Sequence, residues 1–98
     1  MSDAAILPVD SAERKRIPLY PGLVLYFPDA LAAVAKVSWA GNQQHHPDKP
    51  LHWDRSKSTD EEDAMLRHVF EGAWDQVAWR ALAKLQKHIE ESREGGEV

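Results

Sequence analysis

The chain has 98 residues, 12 of them basic and 16 acidic, so its formal charge is −4, and it contains no cysteine. This length fits one domain and leaves no room for a second hydrophobic core. The lack of cysteine excludes a disulfide framework, a thiolate zinc site and a cysteine nucleophile, and it favours a reducing, cytoplasmic location. Neither a signal peptide nor an apolar run near the roughly 20 residues of a membrane span is present, and the acidic balance argues against bulk binding of DNA.

The start of the chain has little apolar periodicity. We predict a flexible arm over residues 1–16, a single helical domain over 17–93 and a frayed tail over 94–98. Because Pro18 and Pro21 interrupt the segment 17–28, we expect extended or irregular backbone there.

The first helix is predicted over residues 28–40. Pro28 suits the first helical position, Asp29 suits the positive end of the helix dipole, and Gly41 suits the position after the last turn. The inward-facing stripe of this helix is predicted to comprise Leu31, Val34, Ala35 and Ser38. Residues 41–58 then show no apolar period, and a loop of this length in a small domain is often functional.

Two further helices are predicted over residues 59–71 and 76–92. Thr59 and Glu62 form a capping box at the start of the first, and Asp75 can cap the second. The apolar stripes that we expect in the core are Leu66, Val69, Phe70 and Ala73 on the first helix, and Ala78, Ala81, Leu82, Leu85 and Ile89 on the second.

Gly72 lies between these two stripes. A turn there would fold the helices into an antiparallel hairpin, which buries both stripes within one chain and is the arrangement we favour. One helix over 59–93 stays open as an alternative, because a glycine in its interior costs only about 1 kcal/mol relative to alanine. Such a helix would have to bury its stripe against another subunit.

Asp60, Asp63 and Arg67 share one helical face at spacings of three and four residues. Two carboxylates on adjacent turns can hold Mg²⁺ against substrate phosphates. The same residues also suit a structural role, since acids stabilise a first helical turn and Asp63 and Arg67 form a favourable pair. The neighbouring His68 is either a proton-transfer residue or a half-exposed surface histidine.

The loop carries residue types that suit a nucleotide. An indole can stack on a base while nearby cations hold phosphates, and clustered imidazoles can bind a transition metal, although no zinc motif is present. The loop residues in question are His45, His46, His52, Trp53, Arg55 and Lys57.

Four tryptophans in so short a chain favour self-association, since three helices have too little interior to bury every indole. The candidates for a subunit interface are Trp39, Trp74 and Trp79.

Several blocks of the chain follow one another in an order known from one family. They are Tyr26-Phe27-Pro28-Asp29-Ala30-Leu31, Gly41-Asn42-Gln43-Gln44-His45-His46-Pro47, Pro50-Leu51-His52-Trp53, Lys57-Ser58-Thr59-Asp60, Asp63 with Arg67-His68, and Ala78-Trp79-Arg80-Ala81-Leu82-Ala83. Over about residues 14–91 the chain resembles the dATP/dGTP diphosphohydrolase N-terminal-domain family of phages and bacteria. The resemblance implies a small all-α protein related to the MazG-like pyrophosphohydrolases, which use Mg²⁺ to cleave a nucleoside triphosphate to the monophosphate and pyrophosphate.

The resemblance also implies roles for individual residues. Asp60 and Asp63 would hold Mg²⁺, with Asp63 and His68 as catalytic residues. The residues that the resemblance places in contact with a deoxynucleoside triphosphate are Asn42, His45, His52, Trp53 and Arg67. The loop cations Arg55 and Lys57 are expected to steady its phosphates. Glu61 stands where the family has histidine, and a stretch of acids and histidine is shortened here to residues 71–75. A helical adaptor without catalytic activity, self-associating through its Trp-rich stripes, is therefore the alternative.

Overall fold

The computed structural model describes residues 7–56 and 60–95, and regular structure in these ranges is entirely helical. The elements are α1 (Ser11–Arg14), a π-helical turn (Tyr20–Val24), α2 (Pro28–His45), α3 (Glu61–Glu71) and α4 (Trp74–Gly95). The all-α prediction is confirmed for these residues. Lys57 and Thr59, and with Thr59 the predicted capping box, lie outside the described residues, as do residues 1–6 and 96–98. None of the described helices is long and apolar enough to cross a membrane.

The chain divides into two compact units, Met1–Leu31 and Ala32–Val98. In the first, the Asp10 carboxylate accepts a hydrogen bond from the backbone N–H of Glu13 at 3.0 Å and so caps α1. The prediction of extended or irregular backbone over 17–28 is wrong at the π-helical turn. Pro21 lies at the start of this turn, where its missing N–H costs no hydrogen bond. A Cβ on Gly22 would come within 2.9 Å of the Pro18 ring, so glycine allows the close approach.

Helix α2 begins at Pro28 as predicted but continues to His45, five residues beyond the predicted end. Gly41 is therefore an interior residue of the helix, with open space where a side chain would lie. The buried Asn42 stabilises the actual end, because its amide donates to the carbonyl oxygens of His46 at 3.3 Å and Lys49 at 3.0 Å. Pro47 then prevents continuation of the helix. Leu31, Val34 and Ser38 of the predicted stripe are partly buried, whereas Ala35 is exposed.

The chain reverses between α3 and α4. Gly72 adopts the left-handed conformation, with φ 72° and ψ 19°. Its N–H bonds to the carbonyl of Val69 at 3.0 Å and that of Ala73 to the carbonyl of His68 at 2.9 Å, the pattern of a Schellman C-cap. One unbroken helix over 59–93 is thereby excluded. Lys84 contacts Glu62 at 2.9 Å and Lys87 contacts Glu61 at 2.7 Å, so α4 returns alongside α3.

The predicted apolar stripes of α3 and α4 do not form the core. Phe70 is 89% exposed, and Leu66, Leu82, Leu85 and Ile89 are exposed as well. Among the described residues, the buried apolar ones are Ala64 and Ala83, and they are joined inside by the charged side chain of Glu61. The stripe prediction was wrong for most of its residues, whereas Val69, Ala73 and Ala78 are partly buried. Ion pairs of Glu61 and Glu62 with α4 join the two helices through polar side chains instead.

Candidate functional site

A cavity of about 850 Å³ lies between the C-terminal half of α2, the loop that follows it and the first turns of α4. Helix α2 contributes Asn42, Gln44 and His45, and the loop contributes His46, Leu51, His52, Trp53 and Asp54. Helix α4 contributes Gln76, Trp79 and Arg80. The longer α2 brings Asn42 and His45 to this cavity as helical residues rather than as loop residues.

Two indoles form one wall of the cavity. The rings of Trp53 and Trp79 meet edge to face, with their centroids 5.7 Å apart and their planes at 77°. The Trp79 ring N–H donates a hydrogen bond of 2.7 Å to the Ser38 hydroxyl, which anchors the indole to α2. The guanidinium carbon of Arg80 lies 5.7 Å from the centre of the Trp79 ring. Trp79, an interface candidate from its sequence, thus belongs to the cavity wall.

Arg55 contacts the Trp53 indole but does not itself line the cavity. Its guanidinium carbon lies 4.2 Å from the centre of the Trp53 ring, within the range of a cation–π contact. Its Nε donates to both carboxylate oxygens of Glu90, at 2.9 and 3.2 Å. A hydrogen bond from Gln86 and then that from Arg55 hold the pKa of the Glu90 carboxyl below its usual range. Arg55 is predicted to steady phosphates, and here its guanidinium is already engaged by Glu90.

Asn42 lines the cavity where α2 ends. Its side-chain N–H groups are committed to the two backbone carbonyls that end α2, and no hydrogen bond reaches its carbonyl oxygen Oδ1 from the described residues. A buried acceptor without a donor costs about 1–3 kcal/mol. The Asn42 side chain therefore satisfies two backbone carbonyls, while its own carbonyl oxygen accepts no hydrogen bond from the described residues.

Histidine is the most frequent polar residue on the α2 and loop side of the cavity. The rings of His45 and His46 lie with their centroids 6.4 Å apart, and His52 follows beyond the turn at Pro47. Imidazoles can donate hydrogen bonds to an anion or bind a metal through a ring nitrogen. The cavity thus combines an aromatic wall with several polar donors.

The predicted residues of α3 form a separate group. Arg67 bonds to the Asp63 carboxylate and lies 3.7 Å from that of Asp60. His68 contacts Glu71 through Nδ1 at 3.1 Å. Asp60, Asp63, Arg67 and His68 do not line the cavity. No group of three or more potential metal ligands occurs among residues 7–56 and 60–95.

Family models, curated proteins and solved structures yielded no match to this chain. The resemblance described above and the roles it implies therefore stay predictions.

Glu61, for which no role was predicted from the sequence, joins α3 to the cavity. Glu61 is only 2% exposed, and its two carboxylate oxygens accept from Arg80 at 3.0 Å and from Lys87 at 2.7 Å. Arg80 lines the cavity at the same time, so one buried carboxylate fixes its position. Arg80 and Lys87 are seven residues apart on one face of a helix, and this spacing was the available signal for a shared acidic partner.

Proposed function

We propose that the cavity binds a purine deoxynucleoside triphosphate. The observation that carries this proposal is the grouping of Asn42, His45, His52 and Trp53, all expected to contact a nucleotide, around one cavity. Ligand pockets typically enclose about 300–1,000 Å³, so a cavity of about 850 Å³ accommodates a nucleotide.

The chemistry of the lining suits the parts of a nucleotide. The face of Trp53 or Trp79 provides a stacking surface, and stacking of a base on an aromatic side chain contributes about 1–3 kcal/mol. Side-chain amides such as those of Gln44 and Gln76 can form paired hydrogen bonds with a base edge. The imidazoles and the guanidinium of Arg80 supply donors for the phosphates.

We further propose that the bound triphosphate is hydrolysed to the monophosphate and pyrophosphate. Asp60 and Asp63 would hold Mg²⁺, whose chemistry is to neutralise phosphate charge and orient a water molecule. The donor set fits this ion when substrate is present, because Mg²⁺ is commonly held by one or two carboxylates together with substrate phosphates. Both carboxylates are exposed and share Arg67. Because Asp60, Asp63 and Arg67 do not line the cavity, this proposal requires the triphosphate to extend from the cavity toward α3, where Arg67 would steady its phosphates.

Calorimetric titration with dATP and with dGTP, each with Mg²⁺ and with a chelator, tests the binding step. Trp53→Leu is expected to weaken binding by about 5–150-fold, as loss of about 1–3 kcal/mol of stacking requires. The matched control is Trp39→Leu, because Trp39 is an exposed indole outside the cavity. Equal effects of the two substitutions, with circular dichroism showing both variants folded, would overturn the proposal. His52→Ala supplies a second cavity variant if Trp53→Leu does not fold.

Release of pyrophosphate tests the chemical step. Asp63→Asn is expected to abolish Mg²⁺-dependent release while the helical signal and nucleotide binding persist, since an exposed acid in a first turn contributes only about 1 kcal/mol or less to stability. Glu62→Gln is the control, as an exposed acid of the same helix that pairs with Lys84 and not with a predicted site residue. A wild-type protein that neither releases pyrophosphate nor gains thermal stability with any triphosphate and Mg²⁺ would instead support the adaptor function.

A further inference from the structure

Helix α4 is amphipathic with its apolar side turned outward. The inward side of this 22-residue helix carries Trp79, Arg80, Ala83, Lys87 and Glu90, which contact α2, the loop and α3. The opposite side carries a stripe, called here the outer stripe, that recurs every three or four residues. The outer stripe comprises Trp74, Ala78, Ala81, Leu82, Leu85 and Ile89.

The outer stripe is too apolar for a surface that stays in water. Trp74 is 65% exposed, Leu82 51% and Leu85 53%. Contiguous apolar patches larger than a few hundred Å² are rare on monomers and mark interaction sites. A single helix face of this kind is normally covered by another helix.

We infer that the outer stripe binds the same stripe of a second copy of this chain, with the two α4 helices antiparallel. A two-fold interface must be self-complementary, so that each residue meets its counterpart in both directions. With the two-fold axis between Ala81 and Leu82, Trp74 lies opposite the partner's Ile89. Ala78 then lies opposite the partner's Leu85, and Ala81 opposite the partner's Leu82. Each alanine of the stripe meets a leucine, the alternation of small and large residues that allows helices to interdigitate.

The charges beside the outer stripe fit the same arrangement. Asp75 and Arg93 are 18 residues apart, which is five turns of about 3.6 residues, so they project from the same side of α4. Antiparallel pairing brings this side of one helix against the same side of the other. With the two-fold axis between Ala81 and Leu82, Asp75 and the partner's Arg93 are offset by about five residues, or about 7.5 Å along the axis. The two side chains lean toward each other across this offset, because helical side chains lean toward the N-terminus of their own helix. In a parallel pair, Asp75 and the partner's Arg93 would instead lie about 27 Å apart along the helix axis.

The interface leaves the cavity accessible, because Trp79 and Arg80 lie on the inward side of α4. Its test therefore needs no nucleotide, and its outcome is independent of the proposed function.

Light scattering after size exclusion of the full chain, at tens of micromolar, is expected to give twice the chain mass of 11.1 kDa. Leu85→Glu is expected to weaken association by about a hundredfold or more, because it buries a carboxylate without a partner. The matched control is Leu66→Glu on the outer side of α3, where leucine is 58% exposed. A monomeric wild type, or equal effects of the two substitutions, would overturn the inference.

Oxidative crosslinking tests the direction of the pairing and does not depend on a disruptive variant. The chain has no cysteine, so each introduced thiol is unique. Ala81→Cys, beside the two-fold axis, is expected to form a disulfide-linked dimer. Ser92→Cys, near the end of α4 and far from its counterpart in an antiparallel pair, is expected to stay monomeric on a denaturing gel. Crosslinking through position 92, or none through position 81, would overturn the antiparallel arrangement.

Discussion

Glu61 is the residue whose substitution should destabilise the fold most. Its side chain is 3% exposed, whereas those of its partners Arg80 and Lys87 are 26% and 17% exposed. In Glu61→Gln the amide oxygen can still accept from Arg80, but the amide N–H₂ faces the Lys87 ammonium. Two partly buried positive charges then lose the carboxylate that lies between them.

Removing one partner of a buried ion pair costs about 3–5 kcal/mol. Both cations of this cluster keep some contact with water, so we expect the lower end, about 3 kcal/mol. For a domain of this size that loss corresponds to a fall in melting temperature of about 12–24 °C. Urea denaturation followed by circular dichroism, at one fixed protein concentration, measures the change.

The neighbouring Glu62 provides the control. Its side chain is 66% exposed and pairs with Lys84 at 2.9 Å. Exposed pairs contribute about 0–1 kcal/mol, so Glu62→Gln should have a small effect that disappears at high salt. If Glu61→Gln lost less than about 1 kcal/mol, or no more than Glu62→Gln, the buried cluster would not have the electrostatic role assigned to it here.

Two further predictions concern the cavity wall and the turn between α3 and α4. The pKa of Glu90 is lowered by its hydrogen bonds from Gln86 and Arg55, so the contribution of this carboxylate to stability is complete above the unfolded value of 4.5 and is lost as the pH falls through the lower folded value. Acid titration of tryptophan fluorescence should therefore show a transition below pH 4.5 that Glu90→Gln removes, and a transition retained in that variant would contradict the assignment. Gly72→Ala should destabilise the protein by about 1 kcal/mol in urea denaturation, because φ is 72° there. Gly41→Ala, in the interior of α2, should be neutral or stabilising by comparison, and the reverse order would contradict the Schellman assignment.

Local sequence chemistry predicted the features that depend on a few neighbouring residues. Pro28 marks the start of α2 and Gly72 the turn after α3, as their fixed or permissive backbone angles require. The end of α2 could not be predicted in this way. Gly41 resembles a stop signal, but the helix ends where the Asn42 amide meets the carbonyl of Lys49, seven residues away.

Helical periodicity could not predict which faces of α3 and α4 turn inward. Periodicity assigns the apolar stripe of each helix to the core. It cannot show that Glu61 binds Arg80 and Lys87, because these partners lie 19 and 26 residues further along the chain. The site was predictable in part. Asn42, His45, His52 and Trp53 were named from the loop blocks, but Trp79 was not, because its anchor Ser38 is 41 residues away.

Ala64 and Ala83, the buried apolar residues of the described chain, are both small. Unfolding of a single chain would therefore hydrate less new apolar surface than unfolding of a domain with large buried side chains, and the heat-capacity change should fall below the usual value of about 12–15 cal/mol/K per residue. The stability of such a chain would vary only weakly with temperature. The cost of dehydrating the charges around Glu61 also falls on warming. Burial of the outer stripe against a second chain would restore the missing heat capacity, so calorimetry at two protein concentrations would separate the curvature due to folding from that due to association.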